Sequence, residues 1–422
     1  MSSPESKPPA LPLENEIDHL FRVSYGKMVA YLTSYFGPAL IGTAEDIAQE
    51  TLLEAYRYWG FHGLPRQPEA WLFHVAKNKA LNSVKRRKKQ HEVYDKASNF
   101  DSPSHSSPIY LEDEIKDSML RMMFACCHPS LAANSQLALI LNTLCGFSRK
   151  EIANALLSKE ETIKKRLYRA KSAFRGGEVI LDVPRGEKLK ERLTPLLTCL
   201  YLMFNEGYNA THSTKVIRKD LCLEAMRLNL LVVERFPENT SCQALYALMC
   251  LHAARFESRI DEKGVIVLFQ DQDRKKWNSH LIQAGLYYLS SASKGKSLSA
   301  YHIEASIAAQ HCSAASFAKT NWPFIHRLYQ LLYQLKPSPI IQLNLAIVAK
   351  WTHGIEEAIG QLLELEKHNT FLQQYYLLFA SLGVLYLEKN EKDLAKSYLE
   401  KAKSLCSSTV QQQLLIQRLR EL

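Results

Sequence analysis

The chain has 422 residues, of which 46% are hydrophobic and 23% charged, and its formal net charge is +10. A chain of this length accommodates two to four domains, and no apolar run reaches the about 20 residues that a membrane-spanning helix needs. The N-terminal sequence has no basic stretch followed by an apolar one, so we expect no secretion signal and a cytoplasmic protein that does not contact a membrane.

Helical periodicity dominates the sequence, and we predict an all-α protein. Residues 1–16 lack that periodicity and are predicted to be a disordered tail. Residues 43–59, TAEDIAQETLLEAYRYW, carry an apolar stripe at helical spacing: Ala44, Ala48, Leu52, Ala55 and Trp59. Asp46, Gln49 and Glu50 share another face of the same helix. Charged helix faces are usually just solvated, so the pattern alone leaves the role of this face open.

The next predicted helix, residues 68–89, ends in a strongly basic run. Its apolar side carries Trp71, Leu72, Val75, Ala76, Ala80 and Val84, and its opposite side carries His74, Asn78, Asn82 and Lys85. Residues 77–89 include seven basic and no acidic side chains. The preceding loop GFHGLPRQ, residues 60–67, contributes Phe61, His62 and Arg66. A basic run of this kind indicates a contact with nucleic acid, and the loop lies between the two helices where a pocket for an unstacked base could form.

Residues 91–111 are rich in Ser, Pro and Asp and lack apolar periodicity, which predicts a flexible linker. Residues 112–175 then have the features of a helix-turn-helix. Ser148 with Glu151 and Ser158 with Glu161 have capping-box spacing, and each pair predicts a helix start. Gly146 stands where the preceding helix must stop and the chain must turn.

The last helix of this segment has one apolar and one basic side. Ile163, Leu167, Ala170 and Phe174 recur at helical spacing. The polar side presents Lys159, Glu160, Thr162, Lys164, Lys165, Arg166, Arg169 and Lys171. Residues near the start of such a helix can approach base edges in a major groove, and the later basic residues can pair with phosphates. A solvated basic helix in a structural bundle is the alternative interpretation.

Nine cysteines without regular spacing do not indicate a disulfide framework. Cys126, Cys127 and His128 are adjacent, but no second ligand pair follows at finger-like spacing, and neighbouring cysteines rarely share one tetrahedral ion. We therefore predict buried thiols and no metal site.

Residues 187–320 are predicted to be a helical extension domain, in which only GVIVLF, residues 264–269, alternates like a strand. Residues 321–422 show a weak repeat. The residues Phe379, Leu382, Gly383, Tyr386, Ala395, Leu399 and Ala402 match the tetratricopeptide pattern in order, without its final Pro. An ordinary antiparallel helical hairpin would also place small residues at a helix crossing. Both interpretations predict a packing or protein-binding surface.

These motifs resemble the bacterial RNA polymerase sigma factors of the extracytoplasmic-function type. AEDIAQE, residues 44–50, is similar to the A-E-D-x-x-Q-E hallmark of sigma region 2. Residues 71–86 are similar to its W-L-x-x-x-A-x-N-x-x-x-(D/N)-x-x-R-R element. The resemblance implies two small helical domains, region 2 in residues 17–90 and a region 4 helix-turn-helix in residues 112–175. Asn82 stands where many relatives have Asp, which makes a promoter preference inferred from them less safe.

The resemblance also implies partners for particular residues. Asp46, Gln49 and Glu50 would dock on the clamp helices of the polymerase β′ subunit, and the core enzyme would also be met through its β flap. The residues implied for the minus-ten element of promoter DNA are His62, Arg66, Asn78, Asn82, Lys85 and Arg86. Those implied for the minus-thirty-five element are Lys159, Glu160, Thr162, Lys164, Lys165, Arg166 and Arg169.

Beyond residue 175 the chain looks like one subgroup of these sigma factors, which carries a long extension with tetratricopeptide-like repeats. The matching stretches are LYLMFNEGY (200–208), LFQDQDRKKW (268–277) and LYQLLYQLKPSPIIQLNLA (328–346). The likeness implies that the extension regulates the sigma factor, with a protein or ligand as its partner. We find no nucleophile and base pair and no phosphate-cradling Gly loop, so we expect no catalytic residue, cofactor or metal.

Two rival hypotheses remain at this point. A plain DNA-binding regulator would use only the helix-turn-helix and would not need the face formed by Asp46, Gln49 and Glu50. A helical scaffold in which the basic patches are incidental would show no salt-sensitive affinity for DNA.

Overall fold

The computed structural model describes residues 12–91, 108–156, 158–208, 218–261, 266–406, 409–420 and 422. Within these ranges the chain forms eighteen α-helices and no strand, so the all-α prediction is confirmed. In the segment predicted to alternate like a strand, residues 264–269, Ile266 forms an isolated antiparallel bridge with Ile260. Most of the predicted tail and linker lies outside the described residues. None of the described helices is long and apolar enough to cross a membrane.

Two compact units make up the chain, residues 1–199 and 200–422, and their boundary falls inside α8. The first unit contains α1 (Pro12–Phe36), α2 (Ile41–His62), α3 (Pro68–His91), α4 (Pro108–Cys126), α5 (Ala133–Thr143), α6 (Arg149–Ala155), α7 (Glu160–Arg175) and the first part of α8 (Glu187–Tyr208). The second unit contains the rest of α8 and ten further helices.

Helix α1 organises the first unit, because it packs against α2, α3 and α4. Met28 and Leu32 of α1 are fully buried, as are Leu72 of α3 and Met122 of α4. Burial of such a side chain contributes about 1.5–3 kcal/mol. The helices before and after residues 92–107 therefore share one apolar core.

The start of the helix-turn-helix follows the sequence prediction. Ser148 caps α6, with Ser148 Oγ accepting from Glu151 N at 3.2 Å and Ser148 N donating to Glu151 Oε2 at 2.8 Å. Gly146 has a φ of 67°, a left-handed conformation that lets Phe147 N donate to Leu141 O at 2.9 Å and end α5.

The second predicted capping box is wrong. Helix α7 begins at Glu160 with Lys159 as its N-cap residue, and no side chain caps it. Ser158 lies one residue too early, because its backbone N donates to Ala153 O at 2.9 Å and completes the turn that follows α6. The spacing of Ser and Glu was correct for a capping box, but the preceding turn decides where the helix begins.

The second unit is a succession of helices: α9 (Lys219–Arg235), α10 (Thr240–Ala253), α11 (Ser279–Ala292), α12 (Ala300–Ser313), α13 (Trp322–Leu335), α14 (Pro339–Thr352), α15 (Ile355–His368), α16 (Tyr376–Glu388), α17 (Lys392–Leu405) and α18 (Thr409–Arg420). From α12 to α18 each helix packs against the next. Such nearest-neighbour stacking is typical of helical repeat proteins.

The residues that match the tetratricopeptide pattern form the interface of α16 and α17. All seven are buried. A Cβ added at Gly383 would lie 2.7 Å from Leu399 Cγ, so only glycine allows the two helices to approach this closely. The α16–α17 pair thus has the close helix crossing that the tetratricopeptide pattern predicts.

Candidate nucleic-acid and polymerase interfaces

The acidic face of α2 is open to solvent while the opposite stripe is buried. Asp46, Gln49 and Glu50 are exposed, and the Glu50 side chain keeps 64% of its surface accessible. Lys79 Nζ of α3 lies 3.8 Å from Glu50 Oε2 and 2.9 Å from Glu54 Oε2. Since exposed pairs of this kind are weak, the carboxylates remain available to a basic partner.

The polar face of α3 is arranged as the helical spacing predicts. His74, Asn78 and Asn82 are all exposed on one side, and Asn78 Nδ2 lies 3.1 Å from His74 Nε2. Lys85 and Arg86 belong to the same helix, but their side chains lie outside the described residues. Amide side chains can both donate and accept hydrogen bonds, which suits the recognition of base edges.

The loop predicted over residues 60–67 is shorter in the structure, because residues 60–62 belong to the end of α2, where aromatic rings stack. Tyr58 stacks on His62 with ring centroids 4.2 Å apart and lies 5.6 Å from the Trp71 ring. Phe61 is 89% exposed, and Arg66 is exposed as well. Exposed aromatic rings provide a surface on which an unpaired base can stack.

Sequence reasoning missed one further exposed aromatic residue, which lies on α2. Tyr56 of α2 is 72% exposed and Leu53 lies one turn before it, also exposed. Neighbouring exposed apolar side chains can form a patch of the kind that meets a partner. The run YRYWGF in the sequence places aromatic residues on more than one face of α2, and this was the signal that could have identified Tyr56.

Helix α7 presents a basic face over a buried apolar one. Ile163, Leu167, Ala170 and Phe174 are buried, as the spacing predicts. The exposed residues of the predicted set are Lys159, Glu160, Lys164, Lys165 and Arg169, and Thr162 and Arg166 are half-buried. Lys164 Nζ lies 3.6 Å from Glu161 Oε1, an exposed pair that phosphate can displace.

Lys171 does not face solvent as expected. Its Nζ donates to Glu45 Oε2 at 2.7 Å and to Asn142 Oδ1 at 3.0 Å. Glu45 precedes the acidic face of α2 by one residue and its side chain is only 11% exposed. Burial raises the pKa of Glu45, and the charge and hydrogen bond of Lys171 oppose that shift. Lys171 thus links α7 to α2.

Other contacts join α1 to the helix-turn-helix segment that contains α5 and α6. Arg22 Nη2 of α1 lies 3.2 Å from Glu151 Oε1 of α6. A Cβ added at Gly26 of α1 would lie 1.9 Å from the carbonyl oxygen of Leu144, at the end of α5. The absence of a side chain at Gly26 therefore lets the backbones of α1 and α5 come together.

No group of three metal-ligating side chains occurs among the residues described above. Cys126 and Cys127 are fully buried in the apolar core, and burial raises the pKa of the Cys126 thiol. Both therefore behave as small apolar residues.

Comparison with known proteins identifies both parts of the first unit. The family description "Sigma-70 region 2" matches residues 20–90, and "Sigma-70, region 4" matches residues 121–174. The ECF RNA polymerase sigma factor SigL of Mycobacterium tuberculosis is 31% identical over 160 residues, which cover 37% of this chain and 87% of that protein. The chain belongs to the extracytoplasmic-function sigma factors. It is a subunit that binds RNA polymerase and directs promoter-specific transcription initiation.

This sigma factor is also similar to the ECF RNA polymerase sigma-E factor of Escherichia coli, with 27% identity over 166 residues that cover 37% of the chain and 83% of that protein. An uncharacterized protein of Rhizobium meliloti is 32% identical over 370 residues, 86% of each chain, so its likeness includes the extension. Residues 192–293 match a family of unknown function, DUF6596. No solved structure matches the chain.

The Glu45–Lys171 pair gives a direct test of the contact between α2 and α7. Lys171→Met should lower the free energy of unfolding of the first unit by about 2 kcal/mol, less than the about 3–5 kcal/mol of a fully buried pair, because some solvent reaches both groups. Since burial raises the pKa of Glu45, the variant should lose stability as pH rises above the ordinary carboxyl value of 4.5. Denaturant titration of the full chain and hydrogen exchange in α7 measure both effects.

The matched control is Lys164→Met, which removes the same charge from an exposed position of the same helix. It should leave stability and its pH dependence unchanged. A second control, Glu45→Gln combined with Lys171→Met, removes both charges and should recover part of the loss. Equal stability of the two single-lysine variants at pH 7 would contradict the structural role of Lys171.

Proposed function

We propose that the acidic face of α2 is the surface by which this sigma factor binds the β′ clamp helices of core polymerase, and that the region 4 helices meet the β flap. The observation that carries this is the exposure of Asp46, Gln49 and Glu50 together on a helix whose other side is anchored by Ala44, Ala48 and Trp59. An acidic patch on a rigid helix is suited to steer and orient a basic partner.

Promoter DNA is proposed to bind at two surfaces. Asn78 and Asn82, with the basic residues Lys85 and Arg86 that follow them, would contact the opened minus-ten strand. His62 and Arg66 would hold its backbone or an unstacked base beside the exposed rings. The basic face of α7 would lie in the major groove of the minus-thirty-five duplex.

We propose that regions 2 and 4 are in contact, as in the first unit here, while the sigma factor is unbound, and that they separate when it binds promoter DNA. Two promoter elements about 25 base pairs apart are separated by about 85 Å of B-form DNA, at 3.4 Å per base pair. Domains of about 60–70 residues, the size of regions 2 and 4, have radii of gyration near 11 Å. Two such domains in contact therefore span only about 55 Å, which is less than the length of this DNA. Lys171 and Gly26 make the contacts that hold them together.

Chain length allows this opening. Residues 92–107 connect α3 to α4, and a fully extended segment of that length spans about 55 Å. The contacts to be broken include the Glu45–Lys171 and Arg22–Glu151 ion pairs, both partly buried, and the packing of α1 on α4 and α5 and of α2 on α7. The binding of polymerase and DNA would have to offset their loss.

A double substitution in α3 tests the minus-ten assignment. Asn78→Ala with Asn82→Ala should reduce the permanganate reactivity of unpaired promoter thymines at least tenfold, because both amides that would contact the opened strand are gone. Binding to core polymerase should be unchanged. Gln330→Ala with Gln417→Ala removes two exposed amides from the second unit and should leave promoter opening as it is. Full opening by the Asn78 and Asn82 variant would rule the assignment out.

We propose further that the extension regulates initiation, through a protein or ligand partner. The test is a chain that stops after Tyr208, at the end of α8. A cut at residue 186 would be too early, because Leu193 and Leu196 are buried in the first unit and Arg192 Nη2 donates to Phe124 O at 2.7 Å.

The chain ending at Tyr208 should initiate transcription at a rate several-fold different from that of the full chain, at equal amounts of folded protein. Circular dichroism and core-polymerase binding confirm that the first unit is intact. Equal rates under every growth condition tested would remove the regulatory role from the extension.

A further inference from the structure

The second unit contains a cavity of about 350 Å³, lined by parts of α8, α10, α12, α13 and α14 and by the segment before α11. This volume is in the range of small-molecule sites. Its walls combine aromatic rings, including Tyr201, Phe269 and Tyr329, with a few charged or polar side chains, among them Arg255 and Glu304. None of the family matches assigns a ligand to it.

One end of the cavity is formed by Arg255. Its Nη2 donates to Tyr208 Oη and lies 3.3 Å from His252 Nδ1, and its guanidinium lies 4.5 Å from the centroid of the Phe269 ring. No carboxylate within the described part of the chain pairs with Arg255, and its Nε and Nη1 donate no hydrogen bond there. A half-buried guanidinium with free donors is a binding group for an anion.

The two histidines beside Arg255 are neutral. Arginine can only donate, so His252 Nδ1 accepts and its proton resides on Nε2. Burial lowers the pKa of His252 well below its ordinary value and that of His311 to about 4, and Arg255 adds to both shifts. His311 Nδ1 is buried and has no partner among the described residues. This end of the cavity therefore carries the positive charge of Arg255, with Arg259 and Arg274 also near the two histidines, and spare polar atoms, which suits an anion.

The other end is formed by Glu304. It lies two helical turns before His311 on the same face of α12, about 10 Å away along the helix axis. Glu304 Oε2 accepts from Tyr201 Oη at 2.8 Å, and Oε1 makes no hydrogen bond to the described residues. Burial raises the pKa of Glu304. The free oxygen is an acceptor for a hydroxyl or amine donor.

We propose that this cavity binds a small organic carboxylate that carries a hydroxyl or amine group at its far end. The carboxylate pairs with the free Arg255 donors, and the distal group donates to Glu304. The apolar middle of the ligand packs against Phe269 and the ring of Tyr201. The separation of Glu304 from His311, which lies beside Arg255, by two helical turns favours an elongated molecule over inorganic phosphate or a compact amino acid.

Three related probes test this: 4-hydroxyphenylacetate, phenylacetate, which lacks the hydroxyl, and 4-methylphenol, which lacks the carboxylate. Trp277 lies near the Arg255 guanidinium, 6.0 Å from ring centroid to Cζ, and Trp322 lies 5.4 Å from the His311 ring. Both should report occupancy by a change in fluorescence, and calorimetry gives the stoichiometry. We expect one site per full-length chain, with 4-hydroxyphenylacetate binding at least tenfold more tightly than either relative.

Two variants assign the ends. Arg255→Met should weaken 4-hydroxyphenylacetate binding at least tenfold, whereas Arg327→Met, at an exposed arginine of α13, should have no effect. Glu304→Gln keeps the shape and should reduce the preference for the hydroxyl over phenylacetate. Because Arg255 also holds Tyr208, circular dichroism must show each variant folded, and Glu304→Gln stands as the independent test. No binding of any probe, or binding unchanged by both variants, overturns the proposal. Because binding is measured without polymerase, that result leaves the role in transcription untouched.

Discussion

Reversing the charge of the α2 face should strongly weaken the association with core polymerase. We expect Asp46→Lys with Glu50→Lys to raise the dissociation constant at least tenfold, or about 1.4 kcal/mol or more, because two exposed carboxylates become cations facing a basic partner. The fold should be unaffected, since both side chains are exposed. Fluorescence anisotropy of labelled sigma factor titrated with core enzyme measures the constant directly.

The matched control is Asp393→Lys with Glu400→Lys, which makes the same change of charge at two exposed positions of α17. It should bind core polymerase as the unaltered chain does. If both double variants bind equally well, the acidic face of α2 is not the docking surface, and the assignment of Asp46 and Glu50 fails even though the chain is a sigma factor.

The second large effect concerns the basic face of α7. Lys164→Ala, Lys165→Ala and Arg169→Ala together should reduce affinity for minus-thirty-five duplex and make that affinity less dependent on salt. Each phosphate contact contributes about 0.9 to the slope of log K against log salt, so the loss of three lowers the slope by about 2.7. Titrations of the duplex at salt concentrations from 50 to 200 mM measure this slope, because log K is about linear in log salt over that range.

Three exposed lysines elsewhere, Lys275, Lys294 and Lys296, provide a control with the same loss of charge. Their replacement by alanine should leave the salt slope as it was, because a distant charge releases no bound counterions from the DNA. A slope that falls equally in both triple variants would mean that net charge, and not the face of α7, determines the affinity.

Periodicity predicted the helices of the DNA-binding region well, because each has one continuous apolar stripe. Ala44, Ala48 and Ala55 are fully buried on α2, and Ile163 and Phe174 are buried on α7. The exposed positions between these stripes followed from the same spacing. Local signals were weaker at helix ends, where Ser148 was a true cap and Ser158 was not.

Contacts between distant segments could not be predicted in this way. Lys171 looked like one more phosphate ligand, because a sequence gives no sign that Glu45, 126 residues away, will neutralise it. Arg255 and Glu304 carried no motif at all, and only the packing of α10 against α12 brings their chain segments to one cavity. Periodicity indicates which side of a helix is buried, but the identity of its neighbour depends on the tertiary fold.

The plain DNA-binding regulator and the helical scaffold are both disfavoured by the match to sigma region 2 over residues 20–90, which neither needs. The most direct measurement is run-off transcription with purified chain and core polymerase, on a promoter identified from transcripts induced by overexpression. Our account predicts a specific transcript that requires the chain and disappears with Asp46→Lys and Glu50→Lys. Retention of the promoter DNA by the chain without any transcript would contradict it.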